Sequence, residues 1–196
     1  DLISMLVSGE ATRNMNPREY LGNLILLIVG GNDTTRNSMS GSVWFFNQNP
    51  GEYAKLRANP ALLESAVPEI IRYQTPLAYM RRTALADTEV GGKMIKKGEK
   101  LAMWYISGNR DGDSIENPDQ FIIDRERPRQ HLSFGFGTHL CLGAPHARLI
   151  LRTLLRLCCE RVKSITILKA EERVEHEAKF DRTLGYNSLT VKIEAL

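Results

Sequence analysis

The segment from residue 134 to residue 143 constrains this chain most, and it reads Phe-Gly-Phe-Gly-Thr-His-Leu-Cys-Leu-Gly. One cysteine, Cys141, follows two alternating glycines and a histidine, and a helix-forming stretch comes after Gly143. Glycines let a backbone turn tightly and approach a flat ligand without a side-chain clash. The free N–H groups and positive dipole end of a following helix stabilise a cysteine thiolate. The segment therefore predicts a metal-binding thiolate in a tight loop.

Simpler roles for the cysteines also exist. A cysteine is often only a small buried apolar residue, and Cys141, His139 and His146 could together bind zinc. Zinc fits poorly, because no fourth ligand stands at a usual spacing and the Phe-Gly-Phe-Gly run has no purpose there. Cys158 and Cys159 lie late in an apolar helical run, so we expect them to be packing residues.

Length and composition indicate one globular domain of a protein that works in a reducing compartment. The chain has 196 residues, of which 42% are hydrophobic and 25% charged, and this is ordinary for a globular protein. A net charge of +3 is too small to indicate a nucleic-acid partner. Three cysteines make no disulfide framework, which favours the cytoplasm. The most apolar run, 24–29, is too short to span a bilayer. The chain begins at Asp1 without Met, so we expect it to be a piece of a longer protein.

Hydrophobic periodicity predicts helices in the first half and one more after Cys141. The expected helices cover 2–7, 17–47, 51–57, 61–74 and 144–159. Short strands are expected at 82–84, 88–90 and 100–104, with glycine turns between them, and the last 35 residues read as short strands around a turn at Gly185. Irregular polar sequence fills 107–133. The fold class is therefore mainly α with small β-sheets.

Two further patterns carry candidate functions. Gly30-Gly31-Asn32-Asp33-Thr34-Thr35 lies in the middle of the long helix, where each glycine weakens the helix by roughly 1 kcal/mol relative to alanine. The pattern fits either a distorted turn over a ligand or close helix packing with Asp33 in solvent. Glu69 and Arg72 stand at i, i+3 on one helix face, a spacing typical of solvated pairs that contribute only tenths of a kcal/mol.

The pattern Phe-Gly-x-Gly-x-His-x-Cys-x-Gly resembles the haem-binding signature of the cytochromes P450. The resemblance covers 1–196 as a single partial domain, the C-terminal half of that fold from just before its long oxygen-binding helix, with the N-terminal half absent. Within the family, 30–39, 67–72, 74–78, 80–84, 103–111 and 127–137 look like the bacterial medium-chain alkane terminal hydroxylases. The run His146-Ala147-Arg148-Leu149-Ile150 departs from the Leu-Ala-Arg-x-Glu of many relatives.

The resemblance implies haem b as cofactor, with Cys141 as the iron ligand. Phe134, Gly135 and Gly143 would belong to its binding loop. His139 and a strand arginine would neutralise the propionates; counting back from Asp87–Gly92 favours Arg82, and counting forward from Glu69 favours Arg81. Glu69 and Arg72 would form a structural cluster with Arg125, in the loop before the cysteine.

The implied activity is a monooxygenase that inserts one atom of dioxygen into an unactivated C–H bond. Thr34 would donate a hydrogen bond to dioxygen and Asp33 would relay protons. Electrons would come from NAD(P)H through a ferredoxin reductase and an acidic ferredoxin, because the chain carries no flavin or iron–sulfur motif. Basic residues near the cysteine are expected to dock the ferredoxin: Arg129, Arg148 and Arg152. The alternative, above all for Arg152, is that they are only solvated charges.

The implied substrate is a hydrophobic small molecule, a medium-chain alkane or fatty acid hydroxylated at its terminal carbon. The expected pocket residues are almost all apolar and none is charged: Val29, Gly30, Leu77, Ala78, Tyr79, Met80 and Tyr186. The alternative for Leu77 and Ala78 is that they are ordinary core residues. Hydroxylation of a terpenoid or steroid side chain is the alternative within the class. From another class, the chain could be a haem-binding fragment without turnover.

Overall fold

A computed structural model describes residues 1–177 and 180–196, with the side chains of 175–184 outside the description. The helices are α1 (Leu2–Ser8), α2 (Pro17–Gln48), α3 (Pro50–Ala58), α4 (Leu63–Gln74), α5 (Tyr105–Gly108) and α6 (Ala144–Arg161). The strands are β1 (Tyr79–Thr83), β2 (Thr88–Val90), β3 (Lys93–Ile95), β4 (Lys100–Trp104), β5 (Val162–Glu177) and β6 (Phe180–Ala195). The predicted mainly α fold with small antiparallel sheets is confirmed.

Helix α2 is the longest element, and local sequence sets both of its ends. The side chain of Asn16 accepts a hydrogen bond from the backbone N–H of Glu19 (2.9 Å), and Pro17 occupies the first helical position, where a missing N–H costs nothing. Asn49 and Pro50 end the helix and begin α3. The 32 residues run through Gly30-Gly31 without interruption, so the predicted long helix is confirmed.

The core lies where the second half of α2 meets α3, α4 and α6. Its buried members include Phe46, Leu56, Ile70, Ile123 and Leu151. Four aromatic rings (Phe45, Phe46, Tyr73 and Phe121) pack with centroid separations of 4.8 to 5.5 Å, the spacing that aromatic pairs prefer. Residue 121 belongs to the long loop before the cysteine, so the core fixes that loop as well as the helices.

Three two-stranded antiparallel sheets complete the described chain. β1 pairs with β4 and starts at Tyr79, earlier than predicted, because Tyr79 is in register with Trp104. β2 pairs with β3, which was not predicted, through Gly91 and Gly92 at φ of 56° and 75°. Such φ values favour glycine, and they confirm the predicted turn.

The prediction for the tail was wrong. In place of short strands around a turn at Gly185, β5 and β6 are 16 residues each. Gly185 lies inside β6, in register with Arg173 of β5. A glycine inside a strand also marks a place where another part of the molecule comes close, and the side chain of Asn37 lies against Gly185. Pairing along the whole hairpin therefore overrides the local turn signal.

The first part of the chain presents an apolar surface. Large apolar side chains of α1 and the first half of α2 are exposed: Leu2, Ile3, Met5, Val7, Leu21, Ile25, Leu26, Ile28 and Val29. None of the helices within 1–177 and 180–196 is long and apolar enough to cross a membrane.

Candidate functional site

The cysteine loop is a tight turn closed by its own backbone. The N–H of Cys141 donates to the carbonyl of Phe134 (2.9 Å), and the N–H of Gly135 donates to the carbonyl of Leu132 (2.8 Å). Gly135 and Gly137 both have φ of 72°, a conformation that L side chains rarely adopt. The Cys141 thiol is exposed. The glycines thus shape a loop that presents one free thiol.

The loop leads directly into α6. Gly143 is the N-cap residue of that helix, and the N–H of Ala144 donates to the carbonyl of Cys141 (3.3 Å). A 3-10 turn (Gly137–His139) precedes the cysteine and leaves His139 exposed. Cys141 therefore stands just before a helix N-terminus, as the sequence predicted. Within 1–177 and 180–196, no three His, Cys, Asp or Glu side chains are grouped as a metal-ion site requires.

Asn109, which the sequence analysis did not single out, supports the cysteine loop through hydrogen bonds. This side chain is 0% exposed. Its amide donates to the hydroxyls of Thr75 and Ser133 (both 2.8 Å), and its carbonyl accepts from the N–H of Leu132 (2.7 Å). One amide therefore joins the end of α4 to the start of the cysteine loop. The run 103–111 carries a family resemblance, but no pattern around Asn109 predicted this supporting role.

Tyr105 and Ile106 connect the predicted pocket segment to the same loop. The N–H of Ile106 donates to the carbonyl of Ala78 (3.1 Å). A Cβ built on Gly135 would lie 3.0 Å from the hydroxyl of buried Tyr105. Gly135 is consequently required for close approach as well as for its φ angle, and residues 77–80 are held near the cysteine loop.

His131 is a second group that sequence reasoning missed. Its ring packs against Phe134 at 5.5 Å, and the guanidinium of Arg148 lies 5.0 Å from the Phe134 ring. Neither ring nitrogen has a hydrogen-bond partner among the residues that the structure describes. Burial lowers the pKa of His131 to about 4, with smaller contributions from the charges of Arg148 and Arg72. His131 is therefore a neutral packing group beneath the loop.

The structure brings Glu69, Arg72 and Arg125 together. Arg72 donates to both carboxylate oxygens of Glu69 (2.8 and 2.9 Å), and Arg125 donates through Nε to Glu69 Oε2 (3.0 Å). Glu69 is 0% and Arg72 1% exposed, so the alternative of a solvated pair is wrong. Arg72 also donates to the carbonyls of Asn109, Pro118 and Gln120 (2.7 to 3.0 Å). The cluster fastens the loop before the cysteine onto α4.

Asp33 and Thr34 lie side by side on α2. The Thr34 hydroxyl donates to the carbonyl of Gly30 (2.9 Å), the back-bonding that distorts helices. Asp33 accepts from Arg36 (2.9 Å) and from Arg173 of β5 (2.6 and 3.2 Å). Hydrogen bonding from Arg173 is the main cause of the lowered pKa of Asp33, and Arg36 lowers the pKa further. Asp33 is thus a paired carboxylate. Neither of the two predictions for this part of α2, a distorted turn over a ligand or an Asp33 in solvent, included such a pair.

The expected pocket residues on and before β1 separate into different environments. Leu77 and Met80 are exposed, whereas Ala78 is 2% exposed and lies in the interior. Side chains alternate along a strand, so Met80 shares a face with half-buried Arg82, and Tyr79 shares the other with exposed Arg81. The Tyr79 ring packs against Trp104 at 4.8 Å.

The remaining expected pocket residues lie on α2 and β6. Val29 and Gly30 are exposed on α2. Tyr186 of β6 packs against Trp44 of α2 with ring centroids 5.4 Å apart, and burial raises its pKa to about 12. Tyr186 therefore fastens the tail to the helix.

The expected docking arginines are not equivalent. Arg152 and Arg129 both approach Glu64 of α4, at 2.5 and 4.0 Å, on the surface. Arg148 is half-buried against Phe134. Only Arg129 and Arg152 among the three present exposed charges.

Comparison with known proteins identifies the class. The family model for cytochrome P450 matches residues 1–177. Linalool 8-monooxygenase of Pseudomonas putida is 40% identical over 88% of this chain and 43% of its own length. Cytochrome P450-153 from Novosphingobium aromaticivorans has a TM-score of 0.87 at 48% identity, over 99% of this chain and 48% of that one. P450BioI, solved with an acyl carrier protein ligated to hexadec-9Z-enoic acid, has a TM-score of 0.85 at 36% identity, over 99% and 49%.

This chain belongs to the cytochrome P450 family. It spans about half the length of the relatives that it matches. The family carries haem bound through a cysteine thiolate, and the described residues fit that group. Cys141 supplies a free exposed thiol, and Phe136, Leu140 and Leu142 expose apolar side chains in the same loop. The other two cysteines, Cys158 and Cys159, are partly buried in α6, and Cys159 packs against the core. Burial raises the pKa of both thiols.

Proposed function

We propose that this chain is the haem-ligating half of a single P450 domain, in a monooxygenase that hydroxylates unactivated C–H bonds. The observation that carries the proposal is the exposed thiol of Cys141 on a glycine-shaped loop ahead of α6. Bound haem would supply the activation of dioxygen, and a thiolate ligand favours cleavage of the O–O bond. Cys141 would ligate the iron, and His139 with either Arg82 or Arg81 would neutralise the propionates. The free thiols suit a reducing cytoplasm.

Asp33 and Thr34 would handle protons. The Thr34 hydroxyl bonds to the carbonyl of Gly30 and can turn to donate to dioxygen instead. Asp33 is 42% exposed at its side chain, so its carboxylate can exchange protons with solvent. An acid beside a hydroxyl donor could pass protons to the substrate site as a general acid does, and a passive haem binder has no need of it.

The proposed substrate is a medium-chain alkane or fatty acid, oxidised at its terminal carbon. Leu77, Met80 and Val29 expose apolar side chains without a charge among them, which suits a hydrocarbon held by burial at roughly 25 cal/mol per Å². The fatty-acyl complex of P450BioI supports a linear chain. The relative that acts on linalool supports the alternative, a terpenoid substrate.

Turnover of a linear series separates the two substrate classes. We expect the holoenzyme to oxidise the terminal methyl of medium-chain alkanes or fatty acids, and we expect Leu77→Phe to shift the preferred chain length. Better turnover of linalool or of a fused-ring steroid than of every linear chain would establish the alternative. Ala78 is unsuitable for this test, because its side chain is buried and enlargement would overpack the interior.

The thiolate assignment is tested by the absorption spectrum of the reduced carbon monoxide adduct. We expect Cys141→Ser to lose the thiolate-type spectrum and hydroxylation together, because a neutral hydroxyl cannot donate electron density as a thiolate does. Cys158→Ser is the matched control and should keep both, since that thiol is partly buried in α6. A Cys141→Ser variant with the thiolate-type spectrum would refute the assignment. A thiolate-type spectrum in an enzyme without turnover would favour the haem-binding fragment.

A further inference from the structure

The tail hairpin is attached along the C-terminal half of α2. Near the base of the hairpin, the Asn47 amide donates to the carbonyl of Ile165 (2.9 Å). Further along, the ring of Tyr186 packs against that of Trp44 at 5.4 Å. These contacts occur on successive turns of one helix, so β5 and β6 follow α2 from residue 47 back toward the middle of the helix.

Gly185 brings β6 close to the helix. It is buried, and a Cβ built on it would lie 2.7 Å from Cγ of Asn37. Asn37 is itself buried. Gly185 is in register with Arg173 on the neighbouring strand, and Asn37 is one helical turn from Asp33. The close approach at Gly185 therefore places Arg173 beside Asp33.

Arg173 contacts both carboxylate oxygens of Asp33. Its Nη2 donates to Oδ2 (2.6 Å) and its Nη1 donates to Oδ1 (3.2 Å). Two-point contact between a guanidinium and a carboxylate fixes orientation as well as distance. Arg36 reaches Oδ1 from the same helix (2.9 Å) through a more exposed side chain. Asp33 is thus held from two sides, and the contact from the hairpin is the bidentate one.

We propose that Arg173 is a positioning residue for Asp33, through which the tail hairpin fixes the orientation of the carboxylate next to Thr34. The proposal rests on the proposed function, in which Asp33 relays protons. A proton from solvent would bind one carboxylate oxygen and leave from the same carboxyl group toward the substrate site. Asp33 would end each cycle ionised and again bound to Arg173. Loss of the clamp would let the carboxylate rotate away from Thr34.

The charges around Asp33 give the direction of the effect. Among the described residues, Arg173 from β5 and Arg36 from α2 are the charged groups that lower its pKa, and Arg173 lowers it more. We therefore expect replacement of Arg173 to raise the pKa of Asp33, and replacement of Arg36 to raise it less. A residue that stabilised the hairpin without contacting Asp33 would leave the pKa of Asp33 unchanged when it was replaced.

The experiment compares Arg173→Gln with Arg36→Gln in the holoenzyme. The first readout is the pKa of Asp33 from carboxyl-carbon NMR of protein labelled at aspartate, with the signal assigned through Asp33→Asn. The second readout is the yield of product per NAD(P)H consumed, with released peroxide measured alongside. We expect Arg173→Gln to raise the pKa and to lower the yield several-fold, and Arg36→Gln to change the yield less than two-fold.

Two further variants keep the test decisive if Arg173→Gln folds poorly. Arg173→Lys keeps the charge but loses the two-point contact, and it should lower the yield to an intermediate level. Gly185→Ala should push β6 away from Asn37 and reproduce the Arg173→Gln result while Arg173 is present. An unchanged pKa and yield in Arg173→Gln would overturn the proposal. If Asp33→Asn keeps the full yield, Asp33 does not relay protons and that part of the proposed function fails. The role of Arg173 is tested separately, because an unchanged pKa of Asp33 in Arg173→Gln would show that Arg173 does not hold the carboxylate.

Discussion

Truncation of Glu69 to alanine is the sharpest test of how the cysteine loop is held. The Glu69 carboxylate is 0% exposed. It accepts two hydrogen bonds from Arg72 (2.8 and 2.9 Å), one from Arg125 (3.0 Å) and one from the N–H of Ile122 (2.8 Å). Glu69→Ala removes the acceptor of all four bonds and the only carboxylate that contacts Arg72 among the described residues.

The size of the effect follows from what stays behind. Arg72 remains held by the carbonyls of Asn109, Pro118 and Gln120, so its charge stays buried without a counter-charge. Breaking a buried ion pair from one side costs about 3–5 kcal/mol. The N–H of Ile122 also loses its acceptor, at about 1–3 kcal/mol, although these costs overlap. We expect a loss of about 3–5 kcal/mol, a large part of the roughly 5–15 kcal/mol that stabilises a typical domain.

The assay is denaturant unfolding of the holoenzyme, followed by circular dichroism and by loss of the haem absorption. Glu69→Gln keeps the side-chain volume, so a similar loss in that variant would come from charge and acceptor geometry and not from a cavity. Glu64→Ala is the matched control, because Glu64 is on the same helix and pairs with Arg152 and Arg129, but on the surface. Exposed pairs contribute about 0–1 kcal/mol. If Glu69→Ala costs no more than Glu64→Ala, the cluster does not fasten the loop.

Three further outcomes are expected. The Thr34→Ala enzyme should continue to oxidise NAD(P)H but release peroxide in place of hydroxylated product. An unchanged product yield per NAD(P)H would remove Thr34 from the mechanism. Burial lowers the pKa of His131 to about 4 in the folded protein, against about 6.5 in the unfolded chain. Between these two pH values the unfolded chain binds more protons than the folded protein does. The free energy of unfolding should therefore fall by about 3 kcal/mol as the pH drops from 6.5 to 4. His131→Phe should remove that dependence, and an identical pH profile in both proteins would contradict it. Arg129→Glu should slow reduction by an acidic ferredoxin most at low salt, because salt screens the attraction between exposed charges. The control is Arg156→Glu, since Arg156 is an α6 residue paired with Glu160 (3.3 Å). Equal slowing in both variants would place the docking site elsewhere.

The sequence predicted best the features that depend on neighbouring residues. The loop around Cys141 follows from glycines at fixed positions, and its φ angles of 72° at Gly135 and Gly137 are the ones that only glycine adopts easily. The bounds of α2 follow from Asn16, Pro17 and the Asn49-Pro50 break. The pairing of Glu69 with Arg72 follows from i, i+3 spacing on α4. In each case the interacting groups lie within a few residues, so a short stretch of sequence contains all that is needed.

Tertiary structure decided which distant groups meet. Arg125 reaches Glu69 across 56 residues, a pair that the family resemblance implied and no local spacing indicates. Arg173 reaches Asp33 across 140 residues, and nothing in the sequence indicated that pair. The turn signal at Gly185 was misread, because the glycine serves an approach to α2 and not a change of chain direction. Whether a side chain is buried or exposed depends on packing across the whole domain. Ala78 is buried, for example, and its neighbour Leu77 is exposed. Packing energy is the total of many weak contacts between segments that are far apart in sequence. The sequence of one segment therefore does not determine which of its side chains become buried.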